Sequence, residues 1–299
     1  MIFSMKNATK WRHVSSAVSV FLMLFSLFML FNKGLNLGLD FTGGVVSEVQ
    51  LNNRITSSEI EPLLKAGLHA DVTVISTGDS GRWVLRYAEP QDGSELIPIG
   101  QLLAPLDSNI EVLNTSIVGP QVGQELSEQG AIALMVSMFS IMLYLSFRFE
   151  WRLALGSLFA LTHDVIFILG FFALTQMEFN LTVLAAVLAI MGYSLNDSII
   201  ISDRIRENLI TKPFLSIQEA NNNAIRSTFT RTMITSGTTL MTVGALWLLG
   251  GGPLAGFSTA MFIGIVTGTF SSVSVGTTLP ELFGLRSEHY VVKPLSTEP

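Results

Sequence analysis

The sequence predicts a polytopic α-helical membrane protein, with six transmembrane helices and one exterior α+β domain between the first helix and the second. Composition points to the membrane: 49% of the residues are hydrophobic, 13% are charged and the mean hydropathy is +0.51, whereas soluble domains carry about 25% charged residues. Six apolar runs reach the length of about 17–25 residues that spans a bilayer. They are Val14–Phe31, Ala131–Phe147, Leu153–Thr175, Leu181–Ser202, Met233–Leu249 and Leu254–Val275. Charge gives the third indication. Residues 35–130 hold thirteen Asp and Glu against four Lys and Arg, so the remainder is slightly basic and the molecule has two different sides.

The first run follows Lys6, Lys10 and Arg12, as the core of a secretory leader would. It is eighteen residues long, beyond the usual apolar core of about 7–15, and the following FNKGLNLG has no A-x-A-like cleavage site. It therefore reads as an uncleaved anchor. Residues 32–130 then alternate strand-like and helix-like stretches. These are Val45–Leu51, Ser57–Ala66 with Ser57 or Ser58 as its cap, Val72–Ser76, Trp83–Tyr87 after the turn Gly78–Gly81, Ile99–Leu106 and Ile110–Thr115. The order βαββαβ predicts a ferredoxin-like sandwich of helices on an antiparallel sheet. Residues 131–275 form a five-helix membrane bundle. Within it, residues 204–230 read as an amphipathic segment broken near Pro213.

Short segments bearing Lys and Arg precede the first run, join the second to the third and the fourth to the fifth, and follow the sixth, where Arg286 and Lys293 lie. By the positive-inside rule these face the cytoplasm. Residues 1–13 and the tail 276–299 are then both cytoplasmic. Gln176–Asn180 and Gly250–Pro253 carry no Lys or Arg, which leaves the acidic segment outside.

Several functions lack the residues they need. The chain has no cysteine, which removes disulfides, thiolate metal sites and cysteine nucleophiles. It has no G-x-x-x-x-G-K-[ST] phosphate loop, no HExxH and no G-x-S-x-G elbow, and its four histidines, His13, His69, His163 and His289, are scattered. The expectation is a non-enzyme without cofactor or metal. The acidic exterior argues against nucleic acid as a partner.

Polar groups within the apolar runs carry the remaining signal, because a carboxylate at helix-centre depth costs about 2.5–3.5 kcal/mol on insertion scales. Asn196 and Asp197 lie roughly 8 Å inside the cytoplasmic end of the fourth run at 1.5 Å per residue, with Ser194 and Ser198 nearby. Asp197 either binds a proton or pairs with a base to lock two helices. His163 and Asp164 lie roughly 16 Å deep in the third run; an imidazole titrates near neutral pH, so this pair either relays protons or makes a packing hydrogen bond. Arg231, Thr235, Thr238 and Thr242 recur along one face of the fifth helix. Arg231 either snorkels at the membrane edge or enters the bundle, where Asp197 is its partner.

Four segments give the chain a family resemblance: GLDFTGG (Gly38–Gly44), HDV (His163–Val165), GYSLNDSIIISDRIREN (Gly192–Asn208) and Arg231. Together they resemble the SecF family of bacterial protein-export membrane proteins, within the resistance–nodulation–division superfamily. Ser202 departs from the bulky aromatic expected there. The resemblance implies partnership with SecD beside the SecYEG channel, extending to YajC and YidC, and unfolded preproteins as substrates. It implies that proton movement drives late stages of preprotein export, with Asp197 as the proton-binding carboxylate and Arg231 as its partner. It also marks Gly38, Asp40, Gly43 and Gly44 as signature residues, although the residues alone suggest no more than a glycine-eased turn into a strand. The competing readings are half of a proton-coupled small-molecule or lipid transporter, and a structural subunit of a membrane complex.

Overall fold

The computed structural model of the chain describes residues 5–68, 72–76, 81–87 and 97–290. The turn Gly78–Gly81, apart from Gly81, lies outside the described residues, as do His69, Lys293 and the end of the tail.

Six helices among the described residues are long and apolar enough to cross a membrane. In chain order α1 is Met5–Lys33, followed by β1 (Asn36–Leu37) and the short α2 (Leu39–Thr42). The exterior domain comprises β2 (Gly44–Gln50), α3 (Ser57–Leu68), β3 (Val72–Ser76), β4 (Arg82–Tyr87), α4 (Ile99–Leu103) and β5 (Glu111–Val118). The chain re-enters the membrane through α5 (Pro120–Arg148), α6 (Trp151–Thr175), the two-residue β6 (Glu178–Phe179), α7 (Leu181–Thr211), α8 (Ile217–Leu249), α9 (Gly251–Val273) and α10 (Val275–Leu282).

The exterior sheet runs β3-β4-β2-β5 with every pair antiparallel, the strand order of a ferredoxin-like sandwich. Alternation along β2 sends Val45 and Val49 inward, where they pack with Ile60, Leu64, Leu85, Tyr87, Ile99 and Leu103. At the start of α3 the predicted serine cap is replaced by Thr56, whose backbone N–H and hydroxyl both donate to Glu59 Oε2, at 2.8 and 2.9 Å. The Thr56-x-x-Glu59 spacing, one residue earlier than expected, lets the Glu59 carboxylate reach back to the start of the helix, one half of a capping box.

Two segments differ from the sequence expectation. Residues 204–230 form no separate amphipathic helix: α7 continues to Thr211, and α8 begins at Ile217 behind a complete capping box between Ser216 and Glu219. Pro213 falls in the gap between them. Residues 276–282 are part of the bundle and not tail. α10 buries Gly276, Thr277, Thr278 and Pro280, and its Glu281 forms an ion pair with Arg12 of α1. A buried arginine requires such a counter-charge, so α1 and α10 are joined on one side of the bundle.

Candidate functional site

α6 and α7 are antiparallel neighbours and the most deeply buried of the six spanning helices. The acids at issue face the bundle interior. Asp164 is 0% exposed and has three hydrogen-bond partners from three helices. Its own neighbour His163 approaches through Nδ1 at 3.0 Å, Ser194 of α7 donates at 2.5 Å, and Ser271 of α9 donates at 2.9 Å. His163 Nε2 is buried without a partner among the described residues. The expected His163–Asp164 contact is present, and Ser194 serves Asp164 and not Asp197.

Asp197 is 2% exposed, and its Oδ2 is buried with no hydrogen-bond partner among the described residues. The neighbouring Ser198 is occupied with Ser272 of α9 at 3.1 Å. Ser202 is paired with Ser157 of α6, also at 3.1 Å, so the residue that departs from the expected aromatic contributes a small polar contact between α6 and α7. Asn196 points away from Asp197 and is exposed, as successive residues on a helix must diverge.

Arg231 and Asp197 form no ion pair; Arg231 lies on the exposed outer face of α8 and influences Asp197 only through space. Thr235, Thr238 and Thr242 turn their hydroxyls onto the carbonyls of Arg231, Ile234 and Thr238, the bonding that satisfies a threonine within its own helix. The buried polar face of α8 is instead Thr228, Thr232 and Ser236. Ser236 connects to Thr269 at 2.7 Å and receives Tyr193 at 3.2 Å.

The signature segment makes a joint. β1 pairs in parallel with β6, matching Asn36 to Glu178 and Leu37 to Phe179. Gly38 donates to Phe179 O at 2.8 Å, and Phe41 stacks on Phe179. Asp40 Oδ2 accepts from the Leu181 backbone N–H at 2.9 Å. Gly43 and Gly44 have φ of 70° and 128°, and a Cβ at either would come within 2.8 Å of Pro120 or of the Tyr87 carbonyl. Both the conformation and the space therefore require glycine.

Sequence reasoning found the buried acids but missed Ser271, Ser272 and Thr269. Small hydroxyl residues are common throughout membrane helices, so nothing in α9 alone distinguishes these three.

The family described as "Protein export membrane protein SecD/SecF, C-terminal" matches residues 99–285, and the SecD/SecF GG motif matches residues 28–53. The protein translocase subunit SecF of Vibrio alginolyticus is 40% identical over 296 residues, which cover 97% of this chain and 93% of that protein. The SecF subunit of Escherichia coli O157:H7 is 38% identical, with coverage of 97% and 91%. Among solved structures, SecDF of Thermus thermophilus, described as a translocon-associated membrane protein, superposes with a TM-score of 0.83 at 32% identity. A SecDF in a super-membrane-facing form superposes with a TM-score of 0.69 at 33% identity. The matches cover 95% and 93% of this chain but only 40% and 38% of those two chains.

Proposed function

This chain belongs to the SecF branch of the SecD/SecF protein-export family, and we propose that it is an accessory subunit of the Sec machinery that works with SecD. In this reading the proton gradient acts through the membrane bundle and drives late stages of preprotein translocation. The observation that carries it is Asp197, a carboxylate withdrawn from solvent in a long membrane helix, with one oxygen that has no donor among the described residues. Intramembrane acids of this kind mark proton paths, and an orphan acceptor is where an incoming proton or water would be held.

His163 and Asp164, with Ser194 and Ser271, are a second polar centre one helix away, and Asn196 stands at the exposed side of α7. Arg231 is the through-space partner of Asp197. The chain is a multi-pass membrane protein; in this reading it sits in the bacterial inner membrane with both termini cytoplasmic and the exterior domain periplasmic, an orientation that the Lys and Arg distribution supports. Chemistry on the substrate is not required, so no enzymatic activity, cofactor or metal is invoked. SecYEG, YajC and YidC enter as neighbours in the same machinery.

Two surfaces support a SecD-like partner. Arg231, Thr238 and Thr242 are exposed on a membrane helix, and lipid is a poor environment for an arginine in the helix interior. β5 is an edge strand that exposes Val112, Leu113 and Ile117, an open template for another strand.

Asp197→Asn tests the proton assignment, since it keeps size and hydrogen-bonding capacity but removes titration. The expected outcome is loss of gradient-dependent preprotein release into energised vesicles, while the variant still assembles with its partner. Wild-type release, with an unchanged response to collapse of the gradient, would leave helix locking as the role of Asp197.

A further inference from the structure

The chain enters the exterior domain from α1 and leaves it into α5, and neither apolar run, 14–31 or 131–147, contains an Asp or Glu. Asp197 lies on α7. Any influence of α7 on the exterior domain must therefore cross non-covalent contacts, and the signature joint at residues 36–44 is one of them.

Arg86 supplies another. It lies in β4 and forms an ion pair with Glu178 of β6, in the short connection that leads directly into α7. The two side chains are 22% and 20% exposed. Glu178 is held from both directions. Its backbone is paired with Asn36, and its carboxylate occupies space beside Gly38, where a Cβ would stand 2.5 Å from Glu178 Oε1. The first glycine of the signature thus leaves room for the carboxylate that meets Arg86.

We propose that the Arg86–Glu178 pair, with Gly38 making room for it, is a positioning contact of the export cycle. It fixes the exterior sheet to the head of α7 at a second point, so that movement of α7 turns the domain instead of being absorbed by bending at residues 34–43. A partly exposed ion pair contributes little to stability. Its value here is geometric: a body tied at one point swivels, and one tied at two points follows. The inference rests on reading Asp197 as the proton-binding group.

The test uses the full-length chain with its SecD-like partner in energised vesicles. Arg86→Glu and Glu178→Arg are each expected to lower preprotein release on the order of tenfold, and the double exchange Arg86→Glu/Glu178→Arg to restore most of it, as interacting residues do in a double-mutant cycle. In all three variants the infrared carboxyl signal of Asp197 on a pH step should match the wild type, which a general loss of structure would not allow. Wild-type release from the single variants, or no recovery in the double exchange, would overturn the proposal. Absence of the Asp197 signal in the wild type would instead overturn the proton reading beneath it.

Discussion

Asp40 accepts a hydrogen bond from the backbone N–H of Leu181 at 2.9 Å, so a carboxylate from the exterior segment caps the membrane helix that carries Asp197. Helix α7 begins with unsatisfied N–H groups and the positive end of its dipole. Asn180 satisfies Val183 from within the chain at 3.1 Å, and Asp40 satisfies Leu181 from 141 residues away. The acidic residue of GLDFTGG is therefore part of the membrane bundle's structure as well as the entrance to the exterior domain.

Asp40→Ala should cost about 0.5–2 kcal/mol, the usual loss when an N-cap acceptor is removed. It should lower the midpoint of thermal unfolding in detergent. Asp40→Asn keeps an oxygen acceptor and gives up only the charge–dipole part, about 0.3–1 kcal/mol, so its midpoint should lie between the two. Equal midpoints for the alanine variant and the wild type would show that Asn180 alone caps α7.

Ser194 and Ser271 both donate to Asp164 Oδ2, and this shared acceptor sets the expected mutant pattern. Each serine changed alone to alanine should cost about 0.6–1.7 kcal/mol, the range for hydrogen bonds between membrane helices, because the other serine still serves the oxygen. Ser194→Ala/Ser271→Ala should cost more than the sum, since a fully buried oxygen then loses both donors. Strict additivity in unfolding free energy would show that the two contacts are independent.

The sequence exposed as much of this arrangement as lies along single helices. An acid in a spanning run is visible because it violates the apolar pattern, which is how Asp164 and Asp197 were found. The exterior topology is legible because strand-like Val45–Leu51, Val72–Ser76, Trp83–Tyr87 and Ile110–Thr115 are interleaved with helix-like Ser57–Ala66 and Ile99–Leu106 in the order βαββαβ. What the sequence concealed depends on pairs of segments. Arg231 and Asp197 looked like a pair because opposite charges in apolar runs attract, yet the facing surface of α8 is Thr228, Thr232 and Ser236, and Arg231 lies outside it. β1 and β6 have two residues each, too few for any periodicity. α10 contains Thr277, Thr278 and Pro280, a composition that reads as tail until α1 and α6 are seen to cover it.

Tyr290 gives a pH prediction outside the membrane helices. Its hydroxyl is buried without a partner among the described residues. Burial, followed by the nearby Glu150 carboxylate, pushes its pKa up to about 12, against an opposing effect of Arg206 and Arg152. The folded chain thus holds the phenol proton at a pH where the unfolded chain, with an ordinary value of about 10, releases it. The stabilisation is complete below about pH 10 and is lost as pH rises toward about 12. The thermal midpoint should therefore fall more steeply over that window in the wild type than in Tyr290→Phe. Parallel curves would show that the phenol ionises freely in the folded protein.

Gly34 and Gly43 are under unequal constraint within one segment. Their φ angles are nearly equal, 67° and 70°, but a Cβ at Gly34 would meet nothing within 4 Å, whereas at Gly43 it would lie 2.7 Å from Pro120 Cα and 3.2 Å from the Val118 carbonyl. Gly34→Ala therefore meets no steric obstacle beyond its positive φ, on the order of 1 kcal/mol. Gly43→Ala meets two further costs: its ψ of 170° puts it in a region that glycine alone uses readily, and its Cβ would clash with backbone that cannot rotate aside as a side chain can, overpacking that typically costs about 1–3 kcal/mol. The strain should appear where β5 passes into α5, beside Gly43, as faster proteolysis of that junction in the Gly43 variant alone. If the two alanine variants unfold at the same midpoint and resist protease equally, the glycine pair serves only backbone conformation, and the close approach to Pro120 is not a constraint on the motif.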